Sequence, residues 1–163
     1  MRPLHLTPLV LTLAIAGCAG PQKHKATPPP PAGTQPTDLL PFVGFMEDSD
    51  SNGYRDTMIL TLLMFARNHA ENSIYAEGTL DLKLVAKNGK VIREWRLPPD
   101  VVAGLAKKMP AGPTYFIRLS LLDDPAGDKT DESLADLQIA FSQGDGPPVR
   151  TTATGITVGR IGR

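Results

Sequence analysis

Beyond Leu39 the chain alternates apolar and polar residues in short runs. Thr79 to Val85 sets Leu80, Leu82 and Leu84 against Thr79, Asp81 and Lys83, the two-residue period of a strand with one buried face. Ala135, Leu137, Ile139 and Phe141 alternate with Asp136, Gln138 and Ser142 in the same way. Thr114 to Leu122 places Tyr115, Ile117, Leu119 and Leu121 opposite Arg118 and Ser120. One wet face per strand is the pattern of antiparallel sheets. Asn88-Gly89 lies between Leu82-Lys83-Leu84-Val85 and Val91-Ile92-Arg93-Glu94-Trp95, and predicts a hairpin because Asn-Gly supplies the positive φ angles of a tight turn. Trp95 shares a strand face with Val91 and Leu97, which assigns it to the core. Thr57 to Ala66 is continuously apolar, so periodicity alone does not separate strand from buried helix. Turn signals on both sides and strands all around assign it to a central strand.

One helix is expected from Pro99 to Met109, with Val101, Val102, Leu105 and Met109 on one face. Asp100 in its first turn and Lys107 and Lys108 in its last suit the helix dipole, and Pro110 stops it. With Thr151 to Val158 as a final strand, the tally is six or seven strands and one crossover helix. The expected fold is mainly β: an antiparallel β-sandwich, immunoglobulin-like or C2-like. The Cys…Trp…Cys spacing of true immunoglobulin domains is absent, so that likeness is architectural only.

The N-terminal end has another character. Met1 to Cys18 reads MRPLHLTPLVLTLAIAGC, with one arginine, an apolar run from Leu9 to Ala16 and then small residues. That is the layout of a secretory signal peptide, and the run is well short of the roughly 20 residues a membrane-spanning helix needs. Ile15-Ala16-Gly17-Cys18 resembles the lipobox of bacterial lipoproteins, and Cys18 is the only cysteine in the chain. The resemblance implies that Cys18 is the mature first residue and carries the lipid, anchoring the protein to a membrane without spanning it. Without the resemblance, ordinary cleavage after Ala14-Ile15-Ala16 would leave Cys18 incidental. With Ala19 where an Asp would favour the inner membrane, the resemblance points to the outer membrane if the cell has two. The following AGPQKHKATPPPPAGTQPTD has hardly any large apolar side chains. Its prolines predict a disordered, extended tether, in which His24 between two lysines is a solvated residue. The expected organisation is a signal peptide over 1–17, the lipidated Cys18 and tether over 18–38, and one β domain over 39–163.

Charge and composition remove whole classes. Seventeen Lys+Arg balance 17 Asp+Glu, which gives no electrostatic footprint for nucleic acid. A single cysteine excludes a disulfide framework and a thiolate zinc site. His69, in a polar stretch Arg67 to Asn72, is the only histidine of the β domain and its only ready general base near neutral pH. No nucleophile elbow, His-Glu-x-x-His pair or phosphate-cradling glycine loop is present. The expectation is therefore a protein that is not an enzyme.

One motif has a spacing with chemical sense. In Asp48-Ser49-Asp50-Ser51-Asn52-Gly53-Tyr54-Arg55-Asp56 oxygen-bearing residues alternate and a glycine takes the sixth place. Such residues converge on a hard cation, the glycine allowing the sharp turn. The run resembles the calcium loops of EF-hands, dockerins and thrombospondin type 3 repeats. By that resemblance Asp48, Asp50 and Asn52 offer side-chain oxygens to Ca²⁺, Tyr54 its backbone carbonyl, and Asp56 a direct or water-mediated contact. The twelfth place, where an EF-hand has its bidentate Glu, is Ile59, so a site needs a ligand from elsewhere and binds weakly, with a Kd of about 10⁻⁴ to 10⁻³ M. The same residues equally make a polar turn leading into a strand. A second acidic run from Asp123 to Glu132 supplies carboxylates if it folds against the first, and otherwise is a solvated connection.

Three functions are consistent with these features. The first is an envelope lipoprotein whose sandwich binds another envelope protein or supports a membrane assembly. The second is a calcium-stabilised carbohydrate-binding or adhesion module, and the third a small hydrolase built on two carboxylates.

Overall fold

A computed structural model describes residues 33–67, 72–123 and 127–162. The signal peptide, Cys18, most of the tether and His69 lie outside the described residues. The described chain forms β1 (Asp38–Val43), β2 (Tyr54–Arg55), β3 (Thr57–Phe65), β4 (Thr79–Ala86), β5 (Val91–Leu97), α1 (Pro99–Leu105), β6 (Ala106–Met109), β7 (Gly112–Ser120), β8 (Leu134–Ser142), β9 (Val149–Thr157) and β10 (Gly159–Arg160). Eight strands make two four-stranded antiparallel sheets, in the orders β1-β3-β7-β6 and β5-β4-β8-β9, while β2 and β10 pair as a ribbon.

The chain changes sheet between β3 and β4, returns through α1 between β5 and β6, and crosses again between β7 and β8. This is a Greek-key β-sandwich. Its orders match the A-B-E-D and C′-C-F-G sheets of immunoglobulin-like folds, with β5 as the added C′ strand. Of the two sandwich types expected, the immunoglobulin-like one has this strand order.

The core lies between the sheets. Leu60, Leu62 and Met64 from β3 and Leu80, Leu82 and Leu84 from β4 are almost wholly buried, with Leu137, Ile139 and Phe141 from β8 beside them. Removing each such side chain from water is worth roughly 1.5 to 3 kcal/mol. The strand expected over Thr57 to Ala66 is β3, which ends at Phe65, and it alternates in the fold: Leu60, Leu62 and Met64 point inward while Ile59, Thr61 and Leu63 do not.

Two expectations need correction. The helix stops at Leu105, with Val102 its one buried residue, and Ala106–Met109 continue as the edge strand β6 paired to β7. Val101 and Met109, assigned to the buried helical face, are exposed. Pairing with β7 supplies backbone hydrogen bonds that a last helical turn would have left open, and Lys107 and Lys108 suit an exposed edge. In β5 the expected partnership of Trp95 with Val91 fails because the register slips between Leu84 and Val85. The resulting bulge brings Ile92 against the core and leaves Val91 exposed. Trp95 does pack on the core, and its indole N–H donates to the Ser120 carbonyl at 3.1 Å.

One polar device locks the segment before β4. The buried Tyr115 hydroxyl accepts from the Ala76 N–H at 2.8 Å and donates to the Ala76 carbonyl at 3.1 Å. Burial, only partly offset by the hydrogen bond to Ala76, pushes the Tyr115 phenol above its usual pKa. Nearby, Gly112 has φ +100° and a Cβ there would lie 2.5 Å from the Ser73 carbonyl oxygen, so only glycine fits.

Candidate metal centre

The acidic motif connects β1 to β3 and is closed at its base. Glu47 N–H donates to the Thr57 carbonyl at 2.7 Å, and the Glu47 carbonyl accepts from Asp56 at 2.7 Å and Thr57 at 3.1 Å. β2, inside the motif, pairs with β10, and Ile161 N–H donates to the Gly53 carbonyl at 2.9 Å. The loop is thus pinned by the start of β3 and by the C-terminal strand.

Within this frame the chain turns through Ser51 at φ +63° and Gly53 at φ +88°. Glycine in the sixth place is required by that angle, while Ser51 holds a left-handed conformation that L-residues seldom adopt. The turn aims backbone N–H groups at the carboxylates. Asp48 accepts from Asn52 N–H at 3.0 Å and Gly53 N–H at 2.8 Å, and Asp50 accepts from Asn52 N–H at 3.1 Å. Asp56, fully buried, accepts from the Ser49 N–H at 2.8 Å and hydroxyl at 2.6 Å. Burial alone would raise its pKa. The hydroxyls of Ser49 and Thr57 and the backbone N–H groups of Ser49 and Asp50 outweigh that effect and hold it below the ordinary value.

The carboxylates of Asp48, Asp50 and Asp56 converge, with one oxygen from each lying within 4.8 Å of the others. This acidic triad could hold a metal ion. All of its donors are oxygens, which suit a hard cation.

Asn52 does not take the role expected of it. Its side-chain oxygen accepts from the Tyr54 N–H at 2.9 Å, and its amide NH₂ points at the acids instead. That NH₂ donates to Asp50 at 3.0 Å and to Asp128 at 2.9 Å. Two N–H dipoles of Asn52 therefore face two carboxylates, as a cation would. For its oxygen to ligate, the amide must turn over and release Tyr54.

Asp128 comes from the second acidic run and is 4% exposed, so the reading of that run as a purely solvated connection fails at this residue. Asp123 and Asp131 are exposed, and Glu132 accepts from the Asn88 side chain at 2.8 Å. Sequence reasoning named the stretch without singling out Asp128, because Pro125 and Gly127 around it signal only a turn.

No protein-family model, curated protein or solved structure matches this chain. The chemistry of the loop therefore stands on its own residues. Ile59, in the twelfth place, is 45% exposed on β3 and offers no oxygen from its side chain. Tyr54 lies in β2 and is half-buried. Asp48, Asp50 and Asp56 are the expected residues that the fold brings together, Asn52 bridges them to Asp128, and Cys18 lies outside the described residues.

Proposed function

We propose that this chain is a membrane-anchored lipoprotein of a bacterial cell envelope, its β-sandwich acting as a non-catalytic binding or structural module for another envelope protein. The observation that carries this reading is the position of the only cysteine, Cys18, at the end of Ile15-Ala16-Gly17-Cys18 behind a short apolar run. A diacylglycerol thioether and an amide-linked acyl chain on one residue give the two membrane signals that stable anchoring requires. The Pro-rich stretch then spaces a sandwich with its own core from the lipid surface. Ala19 favours the outer membrane.

Envelope fractionation tests the reading. The wild-type chain sediments with membranes and takes up labelled palmitate, while Cys18→Ser is released in soluble form without label. A wild-type chain that takes up no label, or a Cys18→Ser chain that still does, contradicts the anchor.

A second reading is supported by the approach of Asp128 to the loop at 48–56. In it the triad binds Ca²⁺, and the module is a calcium-stabilised carbohydrate-binding or adhesion domain. The cation would draw on Asp48, Asp50 and Asp56, and Asp128, held at the loop by the Asn52 amide and outside the converged triad, would have to move in to supply the ligand from elsewhere that the missing twelfth-place acid calls for. Thermal melts in EDTA, Ca²⁺ and Mg²⁺ test it: a Ca²⁺-selective rise in Tm, lost in Asp48→Ala and Asp50→Ala, supports the site, and identical melts remove it.

A further inference from the structure

Two Asn-Gly bonds occur in the chain, Asn52-Gly53 in the acidic loop and Asn88-Gly89 at the tip of the β4-β5 hairpin. A glycine has no Cβ to shield its nitrogen, and such a pair can react with itself. The glycine nitrogen attacks the side-chain carbon of the asparagine, and the new C–N bond closes a five-membered imide. The side-chain nitrogen leaves as ammonia, with the proton that the glycine nitrogen gives up through solvent. Water then opens the imide at either carbonyl, leaving aspartate or its isomer with the main chain routed through the side chain. Water is the one co-reactant. Negative charge develops on the glycine nitrogen and on the attacked carbonyl oxygen, so the groups facing those two atoms decide which bond reacts.

In the acidic loop they oppose the reaction. Gly53 N–H donates to the Asp48 carboxylate at 2.8 Å, so an anionic nitrogen would form against a fixed negative charge. The Asn52 NH₂ is held by Asp50 at 3.0 Å and by the buried Asp128 at 2.9 Å, and hydrogen bonds to carboxylates are about twice as strong as neutral ones. The loop is also closed at its base by Glu47 and Thr57 and pinned through β2 by β10. Turning the Asn52 side chain onto Gly53 breaks these bonds together.

The hairpin tip is built differently. Lys87 to Lys90 are exposed, and Gly89 N–H donates to an uncharged partner, the Ala86 carbonyl, at 2.9 Å. Lys87 and Lys90 put a cation on either side of the pair, and the Lys87 ammonium occupies Asp136 at 2.6 Å. The Asn88 side-chain oxygen accepts from the Lys90 N–H at 2.9 Å, which polarises the carbon to be attacked. The Asn88 NH₂ donates to Glu132 at 2.8 Å in an exposed contact, which solvent weakens.

We propose that Asn88 is a modification site of this chain, deamidating through Gly89, while the acidic loop keeps Asn52 an amide. The product sets a carboxylate against Glu132 where an NH₂ stood, so the hairpin repels the connection it had held. That connection, ahead of β8, carries Asp128 to Asn52, and ageing at the hairpin is thereby coupled to the candidate metal centre. Neither a lipid anchor nor a bound cation enters this chemistry.

The test is peptide mapping by mass spectrometry of the full wild-type chain, kept in mildly alkaline buffer with EDTA, beside the same chain in urea. In the folded chain the Asn88 peptide should gain the mass of an amide-to-acid exchange at least about tenfold faster than the Asn52 peptide, a difference of about 1.4 kcal/mol in barrier. In urea the two rates should converge. Asn88→Gln should remove the fast conversion, and Asp48→Asn, which takes the charge from the Gly53 N–H, should speed conversion at Asn52. Equal rates in the folded chain, or a faster Asn52, overturn the proposal. So does an Asn88 that stays an amide in the folded chain throughout its conversion in urea. A preference that persists undiminished in urea also overturns it, because its cause would then lie in the flanking residues and not in the fold. Asn88→Asp, the product made by substitution, should speed amide hydrogen exchange over 127–133, and unchanged exchange there removes the coupling to Asp128.

Discussion

Asn52→Asp separates a self-satisfied turn from a cation site more sharply than removing an acid does. The substitution is nearly isosteric, but it exchanges the NH₂ between Asp50 and Asp128 for a negatively charged oxygen. Each lost hydrogen bond has a carboxylate acceptor, and such bonds contribute roughly 1.5 to 3 kcal/mol. Asn52 and Asp50 are exposed, so solvent reduces that figure, and a total loss of about 2 kcal/mol in EDTA follows once the new repulsion is added. For a domain of this size that lowers Tm by about 6 to 10 °C. Bound Ca²⁺ should offset that loss, because aspartate in the fifth place adds a ligand. If the triad takes Ca²⁺ with a Kd of about 10⁻⁴ to 10⁻³ M, about 5 mM Ca²⁺ would stabilise the wild-type chain by about 1 to 2 kcal/mol, and the variant should gain more. Differential scanning calorimetry in EDTA and in Ca²⁺ reads both effects, with Asn52→Ala as the control that loses the bridge and gains no ligand. A variant as stable as wild type in EDTA refutes the Asn52 bridge. A loss in EDTA that Ca²⁺ does not recover refutes the cation site and leaves the turn.

Three further outcomes are expected. Tyr115→Phe leaves both backbone groups of Ala76 without their partner in a buried setting, so it should cost about 2 to 4 kcal/mol in urea unfolding; a change below about 0.5 kcal/mol contradicts the lock. Gly112→Ala drives a methyl group into Ser73 at a positive φ and should cost about 2 kcal/mol or more, while Gly89→Ala, with open space around it, costs less. Stability should fall in acid, because Asp56 and Asp136 both have pKa values below the ordinary one, Asp136 through its hydrogen bonds from Lys87 and the Gly155 N–H. Below about pH 4 the unfolded chain binds more protons than the folded one, so the stabilisation present above that pH is lost as pH falls through the lowered folded values. Asp56→Asn should flatten that acid limb in pH-dependent melts more than Asp136→Asn does, since Asp56 is buried and Asp136 is not, and equal limbs contradict the assignment.

The strands were legible because burial on one face leaves a mark with period two. Leu80, Leu82 and Leu84, or Ala135 to Phe141, could face inward in only one register. The Asn88-Gly89 hairpin was legible because such a turn needs a glycine at positive φ, and Gly89 has φ +88°, while Asn88 has no positive φ and serves by accepting the Lys90 N–H at 2.9 Å. The end of α1 was not, since Lys107, Lys108 and Met109 suit a helix terminus and an edge strand equally, and the choice rests on whether β7 is there to pair with. The bulge that replaces Val91 by Ile92 leaves no sign in composition. The candidate centre divides in the same way. Asp48, Asp50 and Asp56 are close in sequence, and local spacing brings them together. Asp128 is 76 residues from Asn52, so its approach depends on how β8 and the connection before it pack. The direction of the Asn52 amide is set by the Tyr54 N–H, which no spacing rule records.

In the proposed function Cys18 anchors the chain. Intact-mass and N-terminal peptide analysis of the protein purified from its own envelope tests it most directly. The expected result is a mature chain beginning at Cys18 and carrying a diacylglyceryl thioether and an N-acyl group. A mature chain beginning at Gly17, with an unmodified thiol on Cys18, would contradict it.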